Sequence, residues 1–375
     1  MTKKIGKKIP EEISILHINS AKEWRGGEKQ TLLLASSLHK KGYKSYCICQ
    51  KNSPLHRKLK NNNIPHFPIR IRSEFDLIAA IKIARIIKNA GTDILHMHTS
   101  HSHSIGLLSN LLCRVPVNIV SRRVDFSIRR NIFSRIKYSF PHIFISVSNA
   151  IRDILIQDGI PAKKVVTIYS GVDFDLYKNL RKDILVKEFS TSENIKDCIK
   201  LVNVAALSLQ KDHETLIRAM DIVIKNNKNI ILFIVGEGDL KRDLIRLRHE
   251  LNLNDHIFFT GFRDDVLDII GDSDIFVMSS RWEGLGTSII DAMALKKPVI
   301  ATRTGGIPEL IEDGVEGILV EKEDPAALAE SILKVIKDRS LAQSISEMGY
   351  NKAKAFSIEN TINKTLELYR SFISV

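Results

Sequence analysis

The chain is predicted to be α/β, with two doubly wound parallel-sheet domains facing each other across a cleft. Three observations predict this. Short apolar runs alternate with amphipathic stretches of helical length, the pattern of parallel strands covered on both faces. The alternation breaks once, over a polar stretch at roughly 173–199 with no clean period, and then restarts. At 375 residues there is room for two domains of ordinary size. The predicted layout is an N-terminal domain over 1–172, a linker region over 173–199 and a second domain over 200–350. A C-terminal helix over 351–375 is expected to cross back to the first domain.

The first strand is the run ISILHI at 13–18, after which Gly26 and Gly27 open a helix-like run closed by Gly42. Strands follow near 44–49, 93–97, 117–121, 142–147 and 165–168, mostly separated by amphipathic stretches. After the break come LVNVAAL, a helix near 213–226, IILFIVG, a helix near 240–250 and HIFFTG. DIFVMSS, a helix beginning near Ser288, PVIAT and GILV complete the second set, and 340–371 reads as helices. In such sheets ligands bind outside the carboxyl ends of the strands, so the loops there carry the candidate chemistry.

A hydrophobic content of 44% with 26% charged residues describes a soluble globular protein. No apolar run approaches the roughly 18 residues of a spanning helix. The basic start MTKKIGKKIPEE is followed by no signal-type apolar core, which predicts a cytoplasmic protein. Cys47 and Cys49 alternate on a strand while Cys113 and Cys198 stand alone, so no disulfide or zinc framework is predicted. The net charge of +13 is unevenly shared: residues 1–170 hold 29 Lys and Arg against 10 Asp and Glu, and the remainder holds 27 against 33. That asymmetry points to an anionic partner on the N-terminal side. No nucleic-acid module is recognisable, so nucleic acid is set aside. An anionic membrane surface, met peripherally on its inner face, or a phosphorylated acceptor embedded in one, fits better.

The richest segment is RWEGLGTSIID, Arg281 to Asp291. Gly284 and Gly286 allow close backbone approach to a ligand. Ser288 and Asp291 fit a helix capping box, so a helix start is predicted here, with unpaired N–H groups and a positive dipole end suited to a diphosphate. Glu283 upstream and Asp291 one turn inside would hold hydroxyl groups on either side, the layout of a nucleotide sugar. An ordinary capped helix after a buried strand explains the same residues.

Lys211 lies in a strand-to-helix loop, where an ammonium neutralises a leaving diphosphate, or is simply solvated. Gly236 and Gly238 in VGEGDL either admit a nucleotide or build a tight turn. Arg263 in GFRDDV sits in a loop that edges a base pocket. TGGIPEL, Thr304 to Leu310, is a good helix start with either a structural or a ligand role. Gly26 and Gly27 would let acceptor or phosphate near the backbone, with Trp24 or Arg25 lining that mouth. HMHTSHSH places His96, His98, His101 and His103 together, and His96 and His98 share a strand face. A metal is disfavoured because no carboxylate or thiol stands beside them. One histidine touching a sugar, or a satisfied non-functional set, remains. In residues 128–140, Ile128, Ile132, Phe133, Ile136 and Phe140 recur at helical spacing, with Arg129, Arg130, Arg135 and Lys137 largely elsewhere. Packing on its own sheet is the favoured reading, and lying on anionic lipid the other.

Taken together, ISVSNAIRD (145–153), IYSGVDFDLY (168–177), WEGLGTSIIDAMALKKPVIATRTGGIPELIEDGVEGILV (282–320) and DPAALAESI (324–332) resemble the family 4 (group 1) glycosyltransferases. The resemblance covers nearly the whole chain, with the segments in the family's order and spacing. It implies the GT-B architecture of two facing Rossmann-like domains. It further implies metal-independent, retaining transfer of a sugar from a nucleotide-diphosphate donor, which is a substrate, with no cofactor. By the same resemblance Glu283 meets sugar hydroxyls and Asp291 the ribose. The backbone of Gly284, Leu285, Gly286 and Thr287 cradles sugar and phosphates, and Lys211 binds phosphate. Gly27 belongs to the N-domain glycine loop, and His98 is the cleft histidine. Two positions depart from the pattern: Ala206 stands where the family has Arg, and Asp291 is one methylene shorter than the usual Glu.

The expected function is therefore a transferase acting on a lipid-linked acceptor in lipopolysaccharide or polysaccharide assembly, with a glycolipid or glycan as acceptor. One alternative is a nucleotide-sugar epimerase of the same plan, which needs cleft carboxylates from both halves. Among N-terminal acids only Asp93 and Asp125 lie near strand ends. The other is a non-catalytic nucleotide- or glycan-binding protein, for which Ala206 and Asp291 leave room.

Overall fold

The computed structural model describes residues 12–128, 131–189 and 195–372. It consists of two compact units, one formed by Met1–Gly171 with Ile358–Val375, the other by Val172–Ser357.

In the first unit seven strands run parallel: β1 (Ser14–Asn19), β2 (Lys44–Gln50), β3 (His66–Ile69), β4 (Ile94–Met97), β5 (Val117–Arg122), β6 (Ile143–Ser146) and β7 (Val165–Thr167). Their order is β3-β2-β1-β4-β5-β6-β7. Helices α1 (Gly26–Lys40), α2 (Pro54–Asn61), α3 (Leu77–Asn89), α4 (Ser100–Cys113), α5 (Ile132–Ser139) and α6 (Asn149–Gln157) follow the first six strands, though the turn after β2 holds α2 before β3 begins. All six residues of β1 are buried, as expected for a central parallel strand covered on both faces. Strand order reverses between β1 and β4, so the loops after Asn19 and Met97 flank this sheet's switch point. The terminal helix Ile358–Arg370 also belongs to this unit: Ile362, Leu366 and Tyr369 share a core with Ile15, Leu34 and Leu38.

The second unit begins with the predicted linker region, which carries a 3-10 turn at Phe174–Tyr177 and the short helix α7 (Ile184–Phe189). Carboxylates of the unit hold it in place. Arg181 pairs with Asp265 and Asp268, and Asp272 accepts from the backbone N–H of Asp183 and Leu185. Strands β8 (Ile199–Val204), β9 (Ile230–Val235), β10 (Ile257–Gly261), β11 (Ile275–Met278), β12 (Val299–Thr302) and β13 (Ile318–Val320) form a parallel sheet ordered β10-β9-β8-β11-β12-β13. The helices are α8 (His213–Asn226), α9 (Lys241–Glu250), α10 (Val266–Gly271), α11 (Thr287–Ala294), α12 (Ile307–Leu310), α13 (Pro325–Lys337) and α14 (Arg339–Ala353). Here the order reverses between β8 and β11, and the loops after Val204 and Met278 flank the switch point.

Two structural findings correct the sequence reading. Strand β3 was not foreseen: HFPI is four residues long and holds Pro68, which a sheet edge tolerates because no ladder N–H is needed there. Helix α5 lays Tyr138 on Phe144 of its own sheet but turns Ile132, Phe133 and Ile136 away from it. Ile132, Phe133 and Ile136 are 77%, 41% and 57% exposed, whereas Lys137 is 6% exposed. Arg129 and Arg130 lie outside the described residues. No helix among the described residues is long and apolar enough to cross a membrane.

Candidate active site

At the switch point of the second unit, the loop after β8 turns through Leu209–Lys211 and presents Lys211 just before α8. Asp212, with φ of 47°, caps α8: its Oδ1 accepts from Thr215 N at 3.5 Å, and its Oδ2 accepts from Thr215 Oγ1 at 2.7 Å. Ser279, beyond β11, donates to the carbonyls of Lys211 and Asp212 at 3.1 and 3.0 Å. These bonds fix the two loops to each other. Their charged tips meet: Lys211 Nζ pairs with Glu283 Oε2, and both side chains are largely buried. Ser280 Oγ reaches the same carboxylate oxygen at 3.4 Å.

The Glu283 loop is clamped from the other side by Thr304–Gly306. Gly306 N donates to Glu283 O at 3.0 Å, and Thr304 Oγ1 to Arg281 O at 2.8 Å. Gly305 has φ of +52°, and a Cβ there would lie 1.8 Å from Glu283 O, so only glycine fits. TGGIPEL is thus the buttress of the Glu283 loop.

Gly286, with φ of +89°, is the N-cap of α11. Ser288 and Asp291 do not form the predicted capping box. Ser288 is the second helical residue, and its hydroxyl donates to Val204 O at 3.2 Å, tying the helix start to the end of β8. The helix begins where predicted, with its first-turn N–H groups at the switch point. Asp291, one turn in, is 5% exposed and accepts from Tyr177 Oη at 2.7 Å. Burial, then the Asp291 charge, pushes the Tyr177 hydroxyl far above its ordinary pKa, so it stays a donor.

Lys211, Glu283 and the Gly284–Thr287 turn are therefore brought together, with Asp291 on the same helix. Gly236 has a backbone role: a Cβ there would lie 2.0 Å from Ala205 O, so the loop after β9 packs directly on the loop after β8. Arg263 is held by Asp265 at 2.8 and 2.9 Å and by Glu188, and none of its polar contacts is to Lys211, Glu283 or Asp291. The hydrogen bonds it donates to those two carboxylates, Asp265 first, raise its pKa further.

At the first unit's switch point, Gly26 and Gly27 open α1, as predicted. The N–H of Arg25 donates to Glu28 Oε2 at 3.0 Å, and Asn19 Nδ2 donates to Glu28 Oε1 at 3.2 Å. Burial raises the Glu28 pKa, opposed by these bonds and by Arg123. His98 stands at the end of β4 and is 3% exposed. Its Nε2 lies 3.0 Å from His17 Nδ1, and its ring is 4.1 Å from that of His96. His96 is bound by Tyr369 Oη at 2.6 Å and Ser121 Oγ at 2.8 Å. Burial lowers all three imidazoles, His17 to about 3 and the other two well below 6.5, so the set is neutral near pH 7. One ligand nitrogen from each lies within 4.8 Å of the others. Both His96 nitrogens already have hydroxyl partners, so a metal there would displace one. His98 Nδ1 and His17 Nε2 are buried without a protein hydrogen-bond partner. His101 is exposed, and His103 is buried against Tyr138 and Phe144, outside this group. Sequence reasoning missed His17, Tyr369 and Tyr177. His17 shares a strand face with Ile15, and Tyr177 closes the segment IYSGVDFDLY from which no role was read for it, while Tyr369 left no local signal.

Two parallel α/β units in one chain, each with its candidate groups at a switch point, define the GT-B architecture. An Anabaena protein, HepE, solved with UDP and glucose, superposes with a TM-score of 0.84 at 21% identity, over 96% of this chain and all of that one. Residues 24–176 match the profile Glycosyltransferase Family 4, and residues 186–352 match Glycosyl transferases group 1. An uncharacterised glycosyltransferase of Methanocaldococcus jannaschii is 30% identical, over 82% of this chain and 84% of its own. The UDP-Gal:alpha-D-GlcNAc-diphosphoundecaprenol alpha-1,3-galactosyltransferase of Escherichia coli is 25% identical, over 96% and 97%. The chain belongs to the glycosyltransferases that combine a family 4 domain with a group 1 domain, and it is a transferase.

Proposed function

We propose that this chain transfers a sugar, with retention, from a nucleoside-diphosphate sugar to a lipid-linked acceptor in the assembly of a cell-surface glycan such as lipopolysaccharide or a polysaccharide. The observation that carries the reading is the Lys211–Glu283 ion pair beside the N-terminus of α11. Each partner is charged and largely buried, and each matches one part of the donor. When the diphosphate arrives it takes Lys211 as counter-ion, and the first-turn N–H groups of α11 complete its binding. Glu283, released from the lysine, then accepts from the sugar's hydroxyls. Asp291, oriented by Tyr177, accepts from the ribose, and Gly284, Leu285, Gly286 and Thr287 contribute backbone. Gly236 and Arg263 lie on loops at the same ends of the strands, on the side proposed for the base. Gly26 and Gly27 offer the acceptor a close backbone approach. His98, neutral, offers its unpartnered Nδ1 to a sugar hydroxyl.

In the transfer, the bond from the anomeric carbon to the phosphate oxygen breaks and the nucleoside diphosphate leaves with the electron pair. The acceptor oxygen bonds to the anomeric carbon on the same face, and its proton passes to the departing phosphate oxygen. Lys211 and the helix start stabilise the charge that develops there. The E. coli relative acts on a diphosphoundecaprenol-linked sugar, which supports the lipid-linked acceptor. The HepE structure with UDP and glucose supports UDP as the nucleotide to try first.

The test is incubation of the purified chain with UDP-sugars and polyprenyl-diphosphate-linked N-acetylglucosamine or an extracted glycolipid pool. Products are followed by mass, and anomeric configuration by proton coupling. A product of one added sugar with the donor's configuration is expected. An inverted linkage would remove the retaining step, and donor bound without turnover on any acceptor would favour a binding protein.

A further inference from the structure

Helix α5 is turned inside out for a soluble protein. Its lysine faces inward: Lys137 Nζ donates to Ser100 O at 2.9 Å and Ser100 Oγ at 3.2 Å, with Glu74 Oε2 at 3.7 Å. With Lys137 fixed there, Ile132, Phe133 and Ile136 are directed outward. A ring contact links this apolar face to the segment before α3. Phe133 meets Phe75 edge to face at 4.9 Å, and Phe75 lies two residues before α3, whose first turns expose Leu77, Ile78 and Ile81 at 64%, 63% and 45%. Isolated exposed apolar residues are ordinary, but three on α5 and three on α3, linked through the Phe75–Phe133 contact, are not.

The exposed charged residues on α3 and α5 are all basic. Lys82 and Arg85 continue the stripe begun by Ile78 and Ile81 on α3, Arg135 lies on α5, and Arg72 precedes α3; all four are exposed. Lys82 and Arg85 also line a cavity of about 330 Å³ against Phe67, Pro68 and Ile69 at the β3 edge. The nearby carboxylates are committed within the fold. Glu74 accepts from Ser104 Oγ at 2.8 Å and faces Lys137, while Asp76 caps α3 by accepting from Ala79 N and Arg72 N. An apolar patch flanked by exposed cations matches an interface of acyl chains beneath anionic headgroups.

We infer that the outer face formed by the start of α3 and by α5 is a docking surface for an anionic lipid bilayer, with Phe75, Ile78, Ile132 and Ile136 entering the acyl boundary and Lys82, Arg85 and Arg135 at the headgroups. The surface lies wholly in the first unit and adds a membrane partner to the proposed lipid-linked acceptor.

The test is flotation of the full chain with phosphatidylcholine vesicles, with and without phosphatidylglycerol. The wild type is expected to float with the anionic vesicles only, and to be released by high salt. Ile132→Ser with Ile136→Ser should lower partitioning by about tenfold or more, since two large side chains no longer enter the acyl region. Lys82→Glu with Arg85→Glu should lower it by roughly fivefold or more for each charge. These sites are exposed, and an unchanged thermal transition would confirm intact folding. Failure of the wild type to bind anionic vesicles would overturn the inference, as would unchanged binding by the Ile132→Ser, Ile136→Ser variant. A concentration-dependent dimer abolished by those substitutions, with no vesicle binding, would overturn it in favour of a second copy of this chain. UDP binding on the same preparations reads the donor site separately, so loss of either reading leaves the other measurable.

Discussion

The ion pair between Lys211 and Glu283 predicts opposite effects when its two halves are removed. In Lys211→Ala, the Glu283 carboxylate stays in a site where its side chain is 11% exposed. Breaking a fully buried pair from one side costs roughly 3–5 kcal/mol. Here some exposure and the Ser280 hydroxyl at 3.4 Å soften the penalty, so about 2–3 kcal/mol is expected. For a unit of this size that lowers its melting temperature by roughly 5–10 °C. UDP affinity should fall as well, because a charge-assisted contact worth roughly 1.5–3 kcal/mol is lost, or about 10- to 150-fold in Kd. In Glu283→Gln, Lys211 no longer leaves a carboxylate to meet the diphosphate. UDP should then bind as well as to the wild type or up to about fivefold tighter, while sugar transfer collapses. Calorimetric titration of UDP into both variants, with product counted separately, separates these outcomes. Unchanged UDP affinity in Lys211→Ala, or an equal loss in Glu283→Gln, would refute the exchange of partners.

Other expectations follow from the same contacts. Gly305→Ala should destabilise the second unit by about 3 kcal/mol or more because its Cβ would collide with Glu283 O, whereas Gly314→Ala, at φ of +77° in open space, should cost about 1 kcal/mol; thermal unfolding of the pair tests this, and equal shifts would count against the clamp. Tyr177→Phe should weaken UDP binding by about three- to tenfold through loss of Asp291 orientation, with little change in affinity for inorganic pyrophosphate. Buried His17 and His103, each lowered to about 3 by burial, with His96 and His98 well below 6.5, are neutral in the folded first unit. Their folded values lie below the unfolded value near 6.5. Their contribution is therefore complete above pH 6.5 and is lost as pH falls towards 3, at up to about 1.4 kcal/mol per pH unit for each histidine. Urea unfolding at pH 7, 6 and 5, followed by Trp24 in a Trp282→Phe background, should show a steep loss, and a flat profile would contradict their neutral burial.

Much of the fold was legible because both sheets are covered on both sides. Strands such as SILHIN and IILFIV are apolar throughout and stand out against amphipathic helices. Strand β3 was hidden by its length and its proline. The Lys211–Glu283–α11 group was legible as a set of loops at strand ends, but the mutual pairing was not, since it joins residues 72 apart. Tyr177 and Tyr369 reach partners 114 and 273 residues away, and no local pattern shows those pairings. The start of α11 was found for the wrong reason: a left-handed glycine, not a serine side chain, caps it. Periodicity also gave the apolar stripe of α5 but not its direction, which goes with the inward contacts of Lys137 and Tyr138.

The most direct test of the central claim is a crystal structure of the chain with UDP bound. The account predicts the diphosphate within hydrogen-bonding distance of Lys211 Nζ and of the first-turn N–H groups of α11, with Lys211 drawn away from Glu283. Nucleotide bound elsewhere, or at that turn with Lys211 still paired to Glu283, would contradict it.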